Sequence, residues 1–142
     1  MYWNDTLITG LSEIDDPSRN LVEGFEHLIA VSIKGECRKI HKEQMTIIYA
    51  NIIDIFRTEH DIMIHYDYPQ QEYHMELHAH FVAETSCLIK DMELSFNNEA
   101  LSKKFHKPTD WLVNHINDED RKLSAHILEC RRLSQSDSNS RP

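Results

Sequence analysis

Turn-forming residues are scarce. Three glycines and four prolines in 142 residues leave long uninterrupted segments, which favours helices over strands joined by tight turns. Cysteine is also sparse. Cys37, Cys87 and Cys130 are odd in number, lie far apart and form no C-x-x-C, so neither a disulfide framework nor a thiolate zinc site is expected. A reducing cytoplasm suits such a chain and is its expected location. No stretch reaches the roughly 20 apolar residues that span a bilayer, and the N-terminus lacks the basic start of an export signal. Positive charge is in deficit as well. The net charge of -9 with histidine neutral argues against a nucleic-acid or anionic-membrane partner, both of which require clustered Lys and Arg, and it favours cations. Glycine-rich phosphate loops, strand patterns and nucleophile elbows are absent.

What is present is helical periodicity, and 142 residues suffice for one domain with a continuous core. Asp16 and Pro17 suit an N-cap and first helical position, and the stripe Leu21, Phe25, Leu28, Ser32 runs on to a stop at Gly35, predicting a helix over 17–34. A second helix is predicted over 40–66 on the stripe Met45, Ile48, Ile52, Ile55, Glu59, Ile62, Tyr66, with steps of three and four throughout. Tyr68-Pro69 ends it. A third, over 70–94, carries His74, His78, Phe81, Thr85, Leu88 and Met92 on one face. A short turn over 100–106 precedes a last helix over 108–131. Together these predict an all-α domain over 1–132, an up-down-up-down four-helix bundle, followed by a disordered polar tail over 133–142.

The chain has ten histidines, so position must decide which of them matter. Glu59 sits inside an apolar seam, where an unpaired carboxylate would cost several kcal/mol and must be neutralised or bound. His74 and His78 form an H-x-x-x-H pair about 6 Å apart along one helix face. His115 and Asp120 form an H-x-x-x-x-D pair in the last helix. Three imidazoles and two carboxylates converging from three helices make a five-ligand site for a divalent cation, iron first, with zinc or another divalent metal open. The plainer alternative for His74 and His78 is a pair of half-buried histidines bonded to a carboxylate.

Several segments resemble the bacterial hemerythrin pattern: Gly10-Leu-Ser-Glu-Ile-Asp15, Phe56-Arg-Thr-Glu59 followed by Met63 and Tyr68-Pro69, His74-x-x-x-His78-x-x-Phe81, and Trp111-Leu-Val-Asn-His115-Ile followed by Asp120. In order and spacing they cover the chain from Trp3 to about Ile127, and the chain is similar to the hemerythrin family. The resemblance implies a hemerythrin-like bundle in which His74, His78 and His115 hold one non-heme iron, and Glu59 and Asp120 take the places of the carboxylates that bridge it to a second. The histidines that hold the second iron in the family are replaced by Ser18 and Ile55. His60, on the flank of the seam where the family usually has a glutamate, is the one candidate replacement ligand.

That loss changes the implied chemistry. The family's oxygen carriers draw one electron from each of two irons to reduce O2, and a single iron cannot repeat that step. The expectation is therefore one iron per chain, acting in iron, O2, NO or redox binding or sensing. A metal-free degenerate domain serving as an interaction or sensory module is the alternative, and a protein partner or homo-oligomer stays open. No catalytic residue is assigned and the chain is expected not to be an enzyme, because mononuclear oxygenases usually leave more open positions than five ligands allow. Ile55 is expected to close the vacant half-site by packing against Ile48, Ile52, Leu21 and Phe25.

Overall fold

A computed structural model describes residues 2–140. Apart from a short 3-10 turn at Asp5–Leu7, the order is α1 (Ser12–Ile33), α2 (Arg38–His65), α3 (Gln71–Leu94), a short α4 (Asn98–Lys104), α5 (His106–His115), a π-helical turn (Ile116–Asp120) and α6 (Arg121–Ser140). The described residues contain no strand, and the architecture is all-α. No described helix is long and apolar enough to cross a membrane. Helix α1 packs against α2, α4 and α5, and α2 against α3.

The helix ends follow from local chemistry. Gly35, at φ +77, occupies the left-handed position after α1. The Gly35 N–H donates to the Ser32 carbonyl at 3.1 Å and the Glu36 N–H to the Val31 carbonyl at 3.1 Å, the paired bonds of a Schellman stop. The end of α2 repeats this motif without glycine. Asp67 takes φ +50, the Tyr68 N–H bonds the Met63 carbonyl at 2.9 Å, and Tyr68 and Met63 bury together in one apolar cluster. This stop delivers Tyr68 to the entrance of α3. Asn97 caps α4 by accepting from the Ala100 N–H at 2.9 Å.

The first helix begins at Ser12, five residues before the predicted start. Asp15 explains the difference. Its buried carboxylate accepts from the Thr9 hydroxyl at 2.6 Å and from the Thr9 and Gly10 N–H groups at 3.0 and 3.1 Å, which ties the incoming segment to the first turn. Pro17 consequently lies inside the helix. The last predicted helix is one continuous run through α5, the π turn and α6. Beyond 132 the run continues through Ser140, and residues 133–137 are exposed and add nothing to the core. Of the polar tail, 141 and 142 lie outside the described residues.

The main core gathers Leu21, Phe25 and Leu28 of α1, Met45, Ile48, Ile52 and Phe56 of α2, Phe81 and Met92 of α3, Leu112 of α5 and Ile116 of the π turn. The buried line of α2 runs Ile48, Ile52, Phe56, Glu59, Met63, so the predicted stripe needs correction. Ile55, Ile62 and Tyr66 are only half-buried. Positions 55 and 56 flank the same seam, and the larger Phe56 ring takes the inner place.

Candidate metal centre

Glu59 comes from the buried line of α2, His74 and His78 from the inner face of α3, and His115 and Asp120 from either end of the π turn. In a regular α-helix residues five apart are rotated by about 140°, which would put Asp120 well off the face of His115. The wider turn closed by i→i+5 bonds returns the fifth residue to the same face. The Ile116–Asp120 π turn therefore makes the H-x-x-x-x-D spacing usable.

All five residues are buried, and one ligand atom from each lies within 4.8 Å of every other. His74 Nε2 stands 3.2 Å from Glu59 Oε1 and 3.3 Å from Asp120 Oδ1. His78 Nε2 is 3.4 Å from Glu59 Oε1, His115 Nε2 is 3.1 Å from Asp120 Oδ1, and the His78 and His115 Nε2 atoms are 3.1 Å apart. His74 contacts both carboxylates, whereas His78 approaches only Glu59 and His115 only Asp120. Ligand atoms about 2.1 Å from one centre and at right angles stand about 3 Å apart, and opposite ones about 4.2 Å. The close pairs at 3.1–3.4 Å and the overall limit of 4.8 Å are compatible with donors around one ion.

Hydrogen bonding alone does not account for the group. Asp120 Oδ1 is buried and close to two imidazoles, yet no contact meets hydrogen-bond geometry. An atom surrounded by donors but aligned with none fits a set of atoms aimed at a common point, and the donor set of imidazole nitrogen and carboxylate oxygen suits iron, zinc and related divalent ions. The group could hold a metal ion.

Electrostatics without an ion show how the group holds itself together. Burial, and then the charge of Asp120, push the Glu59 carboxyl up to about 7 against the pull of His74 and His115. Burial opposes charge on His74, but the close approach and charges of the Asp120 and Glu59 carboxylates outweigh it and raise the ring to about 9. Burial likewise works against Asp120, and His115 and His74 overcome it, holding that carboxyl well below the usual range. His78 is driven the other way, down to about 2, by burial and by the neighbouring His74 and His115. Protons thus occupy the centre where a cation would otherwise balance the carboxylates.

Aromatic rings set the imidazole planes. Phe56 stacks on His78 with centroids 3.7 Å apart and planes 3° from parallel. Trp111 lies between His115, at 4.7 Å and 10°, and Phe81, at 4.4 Å and 13°. Neither role was legible in the spacing. Phe56 lies one position off the predicted stripe, and Trp111 enters the sequence only as the first residue of the motif that leads to His115.

No family model matches this chain, and no curated protein matches it. The centre must therefore be judged on its own atoms.

The other histidines are accounted for separately. His60 is half-buried and outside the five-residue group. His41 is a satisfied core residue, with Nε2 2.9 Å from the Ser32 hydroxyl and Nδ1 3.0 Å from the Cys37 carbonyl. His126 meets the Tyr66 carbonyl at 2.7 Å, while His27, His65, His80 and His106 are exposed. Ser18 is buried. Ile55 packs partly on the core but does not close the region: it lines a cleft of about 230 Å³ together with Glu59. A groove of about 470 Å³ lined by His80, Cys87, Lys104 and Lys107 contains none of the five candidate ligands.

Proposed function

We propose that this chain is a hemerythrin-like non-heme metal-binding protein, an up-down-up-down bundle holding one divalent ion, iron first, through Glu59, His74, His78, His115 and Asp120. It binds or senses iron, a diatomic gas such as O2 or NO, or redox state, and is neither a di-iron oxygen carrier nor an enzyme. The observation that carries this reading is the mutual approach of five buried ligand atoms within 4.8 Å, one of them a carboxylate oxygen without a hydrogen-bond partner. A bound iron would supply a Lewis-acidic, redox-active cation.

The chain's own residues do the rest. Glu59 and Asp120 bring two negative charges into a low-dielectric interior, which a divalent ion balances. The three histidines present Nε2 to the centre, and the Phe56 and Trp111 stacks fix two of the rings. Ser18 and Ile55 offer no nitrogen for a second ion.

Metal analysis after anaerobic iron loading tests the stoichiometry. One equivalent per chain, unchanged in His60→Ala, is the expected result. Two equivalents, or near-ultraviolet and visible di-iron bands when the reduced protein meets air, would overturn the single-ion reading. No metal after loading would favour the metal-free interaction module, and substrate turnover dependent on His74 would make the chain an enzyme.

A further inference from the structure

Four of the five candidate ligands have no part in the α1–α2 cleft, and Glu59 is the one that lines it. The apolar walls are Ile14, Pro17 and Ile55, while Glu13, Asp54 and Thr58 are the exposed residues at its mouth. Glu59, only 3% exposed, is its inner polar residue. Pro17 has no N–H, so the Glu13 carbonyl at the same mouth lacks its helical donor. Oxygen atoms stand at the mouth, where Glu13 is also paired with Arg131 at 3.3 Å and Asp54 is the other acid, and Glu59 lies behind a short apolar wall, an arrangement that offers a path for a positively charged ion.

We infer that this cleft is the route by which a hydrated divalent cation reaches and leaves the centre, with Glu59 as the first ligand to take it and Ile55 as the side chain that sets the width of the passage. The inference rests on the metal-binding reading above. A passage acts on entry and exit alike and leaves the equilibrium between them unchanged. Charge at the mouth acts differently: it raises the encounter rate with a cation, and salt screens it.

Cobalt(II) is the probe, with uptake by the full chain followed through its visible ligand-field bands and release followed into excess EDTA. Ile55→Trp is expected to slow uptake and release by tenfold or more, and Ile55→Ala to speed both severalfold, each variant still taking up one equivalent. Asp54→Asn combined with Glu13→Gln should slow uptake severalfold at low ionic strength, with the difference vanishing at high salt. Cys87→Trp, in the separate groove of α3, should change neither rate. A wild-type chain that binds one cobalt while both Ile55 variants load and release at its rates overturns the route alone, as does an equal slowing by Cys87→Trp. A wild-type chain that binds no cobalt overturns the metal reading and the route with it. Should Ile55→Trp fail to melt cooperatively, Ile55→Ala and the charge variants decide.

Discussion

Around the centre, α3 and the last helix contribute four of the five ligand atoms and back two imidazoles with stacked rings, whereas α1 contributes none and borders an open cleft. The α3 side buries polar groups that cost free energy unless paired, protonated or bound to an ion. The α1 side needs no such compensation. Its Leu21, Val22 and Phe25 are core residues, and its buried acid, Asp15, is fully engaged by Thr9 and Gly10. Two solutions to burial thus meet at Glu59. One side is stable by packing, and the other could be completed by a cation.

Removing a ligand from the polar side should have the largest effect. His115→Ala is expected to weaken iron or cobalt binding by on the order of a hundredfold or more, because it deletes a donor and the partner of the Trp111 stack. Equilibrium competition with a chelator measures the change, and wild-type affinity in this variant would remove His115 from the centre.

Making the two sides alike is the next test. Ser18→His with Ile55→His should restore a second iron and di-iron absorption, whereas Ile55→His alone leaves the added ion short of nitrogen. Ile55 is only half-buried, so its loss costs less than the roughly 1.5–3 kcal/mol of a fully buried aliphatic. Most of the loss in metal-free stability should come from a second imidazole at the buried Ser18 position. A folded double variant holding one iron would show that backbone geometry, and not ligand identity, closes the second site.

Acidity separates the sides more gently. In the metal-free chain His74 is raised to about 9, so its contribution to stability is complete below its ordinary value of about 6.5 and is lost as pH climbs through 9. Glu59 is raised to about 7, so the folded state holds a proton that the unfolded state has lost above about 4.5, and stability again falls as pH rises across that window. An ion that displaces these protons reverses the trend. The rise in melting temperature on adding metal should therefore grow from pH 6 to pH 9, and a shift that is flat or shrinks over that range would contradict the assigned protonation. Smallest is Phe56→Leu, expected to cost about 1 kcal/mol of stability and severalfold in metal affinity through a looser His78 ring. Thermal melts and chelator competition resolve the two effects.

The buried cluster of candidate ligands was more legible in the sequence than its surroundings. Glu59 was legible because a carboxylate interrupted an apolar seam, and His74 with His78 because a spacing of four keeps one helix face. The Asp15 tether was not legible, since it depends on Thr9 and Gly10 folding back, a tertiary event without a periodic signal. Ile55 was misplaced for a simpler reason. At 100° per residue, positions 55 and 56 flank one seam equally well, and only the three-dimensional fit of Phe56 against His78 and Phe81 decides between them.

The π turn at Ile116–Asp120 carries a lesson for anyone grafting this centre elsewhere. A designer who copies the histidine and the aspartate onto an idealised helix transplants the letters and loses the geometry, because regular winding sends the two side chains to different faces. The portable unit is the widened turn of backbone together with its two flanking donors; on a regular helix the same pair would need a spacing of four, the one that His74 and His78 have.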